Sequence, residues 1–344
     1  MIKLNLVESG DKVAILSPSS GIAGIFPWVA DYGLSRMKTL FKLQPIEYPT
    51  TRKFGSSLKD RANDINTAFS DPDIRAVFSM IGGDDQIQLL KYLDLKTIES
   101  NPKPFFGYSD NTHLCNFLFN LGIPSFYGGS IMCEFGFNST IPKITLESIK
   151  WSLFDRGQKN ITASSNFNTI GLPWDKKDLL KHEREFEKNK GYVWEGQNAA
   201  EGTLWGGCVE SLVALTIAGN DKVFHQFESD IILFIETSES IPPHWVIRYY
   251  LIGLGERDLF GKKIKGVVVG RPKTWDFDNQ MTKRKSQQYF NDQTEVIINT
   301  IRNYHTSLPI VLNVDIGHTA PQYIVPMGNR CNINPVQKKL QFYY

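Results

Sequence analysis

The sequence carries little cysteine. Cys115, Cys133, Cys208 and Cys331 are scattered through 344 residues without a CxxC pair. Such spacing argues against a disulfide framework or a zinc knuckle and fits a reducing cytoplasm, the location expected here. No run approaches the ~18–20 consecutive apolar residues of a membrane span, so no membrane association is expected. Met1 to Asp11 lack a basic head, an apolar stretch and a small-residue cleavage site, so no signal peptide is expected either. Charge of one sign is also missing: 38 Lys and Arg against 36 Asp and Glu leave +2, too near neutral to argue for nucleic acid. The one dense charged stretch, Lys181 to Lys190, is mixed in sign and reads as a solvated face. HExxH, GxGxxG and GxxxxGK[ST] are all absent, so neither a metal nor another cofactor is expected.

What remains is ordinary globular material, 41% hydrophobic and 22% charged, enough for a core in each of two domains. The first half alternates β-rich and helical stretches. Strands are predicted at Lys12–Leu16, Ile74–Ile81, Lys103–Tyr108 and Ile123–Tyr127, and helices at Trp28–Leu40, Asp85–Leu93 and Asp110–Leu121. This alternation predicts a parallel sheet covered on both faces, with ligands gathering at the carboxyl ends of its strands. Residues 1–165 are therefore expected to form an N-terminal α/β domain. The polar, interrupted stretch 166–200 reads as a linker or excursion. Residues 201–344 read as a mixed α/β C-terminal domain, with a helix following Gly206-Gly207, strands at Ile231–Ile235, Lys265–Val269 and Pro309–Val314, and a helix at Gln288–Tyr304.

Three positions could carry chemistry together. Ser109 sits where an aromatic strand meets a helix, so its hydroxyl would stand above the sheet edge near unpaired helical N–H groups. A serine before a helix is also a favoured N-cap, and that alternative stays open. Glu236 ends the apolar run Asp230 to Ile235, where a carboxylate could be held to steady an imidazolium, or could simply begin a surface loop. His318 follows the strand Pro309–Val314 and could serve as general base. His113, one helical turn past Ser109, competes for that role, but it projects along the nucleophile's own helix. Gly82-Gly83 and the amide of Asp110 could bind a developing oxyanion, although the glycine pair also suits a plain tight turn. Gly206-Gly207 could be a phosphate-type loop.

The run Ser79-Met80-Ile81-Gly82-Gly83-Asp84-Asp85-Gln86-Ile87-Gln88-Leu89-Leu90, followed by Pro104-Phe105-Phe106-Gly107-Tyr108-Ser109-Asp110-Asn111-Thr112, resembles the serine LD-carboxypeptidase family. That family includes muropeptide LD-carboxypeptidases and microcin C immunity peptidases. The resemblance continues through Glu201 to Cys208, Leu233-Phe234-Ile235-Glu236 and Asp315-Ile316-Gly317-His318. It implies a Rossmann-like (flavodoxin-like) N-terminal domain bearing Ser109, a C-terminal domain supplying Glu236 and His318, and a homodimer. Taken with the residue reading, it leads to a cofactor-independent serine peptidase that cleaves an amide near a free carboxylate, with the amides of Gly83 and Asp110 as oxyanion donors and Gly82 at the substrate. Ile81-Gly82-Gly83 and Tyr192-Val193-Trp194-Glu195-Gly196 resemble the microcin-immunity branch, in which a tryptophan stacks on the adenine of an aminoacyl nucleotide. Trp194, or else Trp174, would be its equivalent; core packing is the plainer use of either ring. Asp84 to Gln88 departs from the family's usual segment after the glycines, which bears on substrate rather than fold. The alternatives are a muropeptide substrate, a catalytically silent binding module of the same fold, and a flavodoxin-type nucleotide binder.

Overall fold

Val13-Ala14-Ile15-Leu16 is an apolar run with no alternation, and all four residues are buried, as in a strand covered on both faces. It belongs to β1 (Lys12–Leu16) of a computed structural model that describes residues 1–344. The other parallel strands of its sheet are β2 (Gln44–Glu47), β3 (Ile74–Ser79), β4 (Phe105–Gly107) and β5 (Ser125–Tyr127). They lie in the order β2-β1-β3-β4-β5, the flavodoxin-like doubly wound arrangement, with its switch point between β1 and β3. An antiparallel edge strand, Val325–Met327, returns from far along the chain to pair with β5. Helices α1 (Pro27–Leu40), α2 (Leu58–Ser70), α3 (Leu95–Ser100), α4 (Thr112–Asn120) and α5 (Lys143–Phe154) complete the unit. Phe78, Phe106 and Phe126 are register partners across β3, β4 and β5, stacking at 4.3 Å and 4.8 Å into a cross-strand ladder.

The second unit is built on an eight-stranded mixed sheet. Its strands are β6 (Gln158–Asn160), β7 (Val193–Glu195), β8 (Ala200–Cys208), β9 (Ile231–Glu236), β10 (Ile264–Gly270), β11 (Ile310–Val314), β12 (Arg330–Asn334) and β13 (Lys339–Tyr343). The order is β6-β13-β12-β8-β9-β10-β11-β7, with a parallel centre, β8 to β11, and antiparallel flanks. Helices α6 (Val209–Ile217), α7 (His244–Glu256) and α8 (Lys283–Tyr304) are its longest.

The units are not contiguous in sequence. The first comprises residues 1–156, 172–184 and 324–328; the second comprises 157–171, 185–323 and 329–344. The stretch expected as a linker, 166–200, is thus shared between the units, because β7 pairs with β11 while Trp174 and Leu179 bond within the first unit.

Two local expectations are corrected. Residues 85–93 form two single 3-10 turns, Gln86–Gln88 and Leu90–Tyr92, rather than a helix. The side chains there are spent on distant partners: Asp85 on Arg61, and Gln86 on Ser19 and Asn111. Gly206-Gly207 is no loop, since both residues lie inside β8, paired with Phe234 and Ile235. A Cβ on Gly206 would stand 1.7 Å from the Phe234 carbonyl oxygen, so close strand approach is what needs the glycine.

Candidate active site

In the first unit, β4 runs into Tyr108, still extended, and Ser109 then takes φ +65°, a left-handed conformation rare for a residue with a side chain. Holding it there costs about 1–3 kcal/mol, a cost characteristic of functional turns. Several bonds fix it: the Ser109 N–H donates to Tyr127 Oη at 3.1 Å, and Thr112 Oγ1 donates to the Ser109 carbonyl at 2.6 Å. Ser109 opens a 3-10 turn, Ser109–Asn111, and α4 starts only afterwards with Asn111 at its cap position. An N-cap serine has extended φ/ψ and precedes the helix directly, so the N-cap alternative does not describe Ser109.

Gly82 lies against this turn. A Cβ at Gly82 would come 2.9 Å from Ser109 Cβ and 3.2 Å from its Oγ, and one at Gly83 would come 2.9 Å from Ser19 Cβ. Close approach requires these glycines, and neither has a left-handed φ. The loops after β1, β3 and β4 meet here, at the switch point. Arg61, itself buried, grips Asp85 through two bonds of 2.8 and 2.7 Å and also donates to the Ser19 carbonyl. The Gln86 amide N–H donates to Asp110 Oδ2 at 3.0 Å, and its side chain reaches Ser19, Asn111 and the Leu114 N–H. Burial pushes the Asp110 carboxyl up to about 6, against the lowering effect of bonds from Gln86 and Ser19. His113 is buried, which lowers its pKa to about 4, and its Nε2 stands 3.7 Å from Asp110.

In the second unit, Glu236 closes β9 and is 1% exposed. Its Oε2 lies 2.6 Å from His318 Nδ1. Gly317 makes this possible: it has φ +85°, and a Cβ there would fall 2.3 Å from Glu236 Oε2. Burial opposes a charge on His318, but Glu236, then Glu239 and Glu210, outweigh it and raise the pKa to about 9. His318 Nε2 meets Glu239 Oε2 at 3.2 Å.

Three participants escaped the sequence reading. Glu210, in the first turn of α6, accepts from the Ser238 N–H and from the hydroxyls of Ser238 and Ser240 at 3.1, 2.6 and 2.9 Å. It thereby pins the loop that follows Glu236. Burial pushes its carboxyl up, yet bonds from Ser238, Cys208 and Ser240 hold it below the ordinary range. Arg271 and Asp315 form a buried ion pair at 2.6 Å just upstream of His318. An acid in a helix's first turn is a visible signal for Glu210, and Asp315 opens the run Asp315-Ile316-Gly317-His318; Arg271 has none.

Of the two tryptophans, Trp194 lies in β7 opposite Val311, in the unit that holds His318. Trp174 lies in the other, edge-on to Phe26 at 5.8 Å, its carbonyl accepting from Trp28 Nε1 at 2.7 Å. No group of three or more His, Cys, Asp or Glu side chains is placed to hold a metal ion, and no helix is long and apolar enough to cross a membrane.

Ser109 thus stands on a constrained strand-to-helix turn of one α/β unit, and the bonded pair of Glu236, at a strand end, and His318, in the loop after a strand, lies in the other. Residues 13–128 match the LD-carboxypeptidase N-terminal domain and residues 201–333 the LD-carboxypeptidase C-terminal domain. The chain belongs to this family of serine peptidases. It is 27% identical over 333 residues to the putative carboxypeptidase YocD of Bacillus subtilis, covering 96% of this chain and 95% of that protein. It is 27% identical over 282 residues to the microcin C7 self-immunity protein MccF of Escherichia coli, covering 81% of this chain and 76% of that one. The fold also matches the crystal structure of an MccF-like protein from Streptococcus pneumoniae in complex with AMP, with TM-score 0.82 and 26% identity over 97% of this chain and 98% of that one.

Proposed function

We propose that Ser109, His318 and Glu236 act as a catalytic triad that cleaves an amide near a free carboxylate. The 2.6 Å contact between His318 Nδ1 and Glu236 carries this reading, because it keeps the Nδ1 proton directed at Glu236 so that Nε2, once Glu239 has left it and its proton is lost, is the nitrogen that takes a proton from serine. In the reaction, His318 takes the proton of Ser109 as its Oγ bonds to the carbonyl carbon. The amides of Gly83 and Asp110 receive the oxyanion, and the bond to nitrogen then breaks as His318 protonates the leaving amine. Water, deprotonated by His318, releases the acyl group.

For the substrate we favour an aminoacyl nucleotide. The likeness to a microcin immunity protein and to an AMP-bound relative supports it, as does Trp194 on the unit that carries His318. The family's LD-carboxypeptidase character supports an L,D-muropeptide as the second reading. Wild type and Ser109→Ala are assayed on an aminoacyl sulfamoyl-adenylate and on an L,D-muropeptide. Turnover of the first by wild type alone is expected; equal rates from the variant would remove Ser109 from the chemistry. We also read the chain as a cytoplasmic homodimer, which fits its four free cysteines; sedimentation equilibrium tests the dimer.

A further inference from the structure

The ion pair behind His318 is costly to bury. Arg271 and Asp315 have side-chain exposures of 2% and 0%, and removing two charges from water commonly costs as much as their attraction returns. Stability alone is therefore a weak reason for the pair, and its surroundings supply a better one. Four donors converge on the Asp315 carboxylate. Oδ1 accepts from Arg271 Nη2 at 2.6 Å and Ser164 Oγ at 2.8 Å; Oδ2 accepts from the Ser164 N–H at 2.8 Å and Tyr192 Oη at 3.2 Å. Arg271 also donates Nε to Asn313 Oδ1 at 3.0 Å, and its guanidinium covers the Phe167 ring at 4.6 Å. Asn313, itself at φ +61°, donates to the Gly191 carbonyl at 2.6 Å and to Asn189 Oδ1 at 3.1 Å.

Of the segments that meet at this carboxylate, two lead to residues of the candidate site. One is the loop that leaves β11 and carries His318 three residues after Asp315. The other is the turn 189–192 that enters β7, where the Tyr192 ring lies 6.2 Å from that of Trp194. Orientation of a catalytic imidazole has to be held to a fraction of an ångström, and supporting hydrogen bonds supply that rigidity.

We propose that Asp315, held by Arg271 and Tyr192, is the positioning residue for His318, and that it ties the orientation of the base to the strand carrying Trp194. The inference rests on His318 as general base. Neither Asp315 nor Tyr192 touches substrate in this scheme; each acts through the loop.

The test compares wild type, Asp315→Asn, Tyr192→Phe and His318→Ala on an aminoacyl sulfamoyl-adenylate, with kcat and KM measured separately. It also follows the low-field proton resonance of His318 Nδ1–H, which needs no substrate. Asp315→Asn and Tyr192→Phe are expected to lower kcat about 10- to 100-fold with KM within twofold, and to shift or broaden that resonance. Tyr192→Phe deletes one O–H and keeps the ring, so it decides the matter even where Asp315→Asn does not fold. Wild-type kcat and an unmoved resonance in Tyr192→Phe, with His318→Ala inactive, would overturn the positioning role alone. Wild-type turnover by His318→Ala would overturn the role of His318 and this proposal with it.

Discussion

His318 is held between two carboxylates, Glu236 at 2.6 Å from Nδ1 and Glu239 at 3.2 Å from Nε2. Both contacts can be hydrogen bonds only when both ring nitrogens carry protons, so this geometry belongs to the imidazolium. An imidazolium cannot accept a proton from serine. Glu239, with 55% of its side chain exposed, is the partner that can swing away.

The pH dependence follows. The proposed base His318, raised to about 9, is protonated at neutral pH, so kcat/KM should climb as pH rises through a range well above that of free imidazole. In Glu239→Gln one of the two carboxylates holding the charge is gone. Its acidic limb should move to lower pH and its activity at pH 7 should rise several-fold, with the alkaline plateau unchanged. A limb in the same place would show that Glu239 does not govern the base.

Gly82 and Gly206 separate function from folding. Alanine at Gly82 puts a methyl 2.9 Å from Ser109 Cβ, at a loop that can shift by a few tenths of an ångström. We expect a folded protein, with Tm within a few degrees of wild type and kcat down ~100-fold. Alanine at Gly206 collides with the Phe234 carbonyl inside a central strand, where nothing can give, and should cost more than ~4 kcal/mol and prevent accumulation of soluble protein. Thermal melts beside a single-turnover assay distinguish the two.

The Asp110 carboxyl should be visible as a pH-dependent liability. Its pKa rises from 3.8 to about 6 on folding, so the folded state holds the proton more tightly than the unfolded chain. That contribution is full below 3.8 and is lost as pH rises through about 6. Asp110→Asn keeps an acceptor for the Gln86 N–H and carries no charge. It should stabilise the protein by ~2 kcal/mol at pH 8, with the advantage gone at pH 4. Chemical denaturation at the two pH values measures the difference.

The sheet that carries Ser109 was legible in the sequence because β1, β3 and β4 are short runs, apolar apart from Lys12, Arg75 and Ser79, that end in glycine or serine turns. The strand-end positions of Glu236 and His318 were legible for the same reason. Gln44–Glu47 escaped notice because an edge strand carrying a proline has no apolar signature. The 3-10 turns at residues 86–92 escaped because local periodicity favours a helix, whereas long-range bonds, from Arg61 to Asp85 and from Gln86 to Ser19 and Asn111, decide the backbone. Arg271 was hidden for a related reason: a lone arginine after a strand gains meaning only from Asp315, 44 positions away. Tertiary hydrogen bonds leave no period in the sequence.

The edge strand Val325–Met327 has a consequence for anyone dissecting this protein. The chain passes between its two units five times, and the last excursion is only five residues long. A fragment ending near residue 156 would hold Ser109 and its turn, yet expose the open side of Ser125–Tyr127, an invitation to sheet-to-sheet aggregation. The unit that holds Ser109 is therefore completed by a segment that lies only a few residues beyond His318. Expression as separate halves would need that short segment returned, as a fused tail or an added peptide, before the first sheet could close.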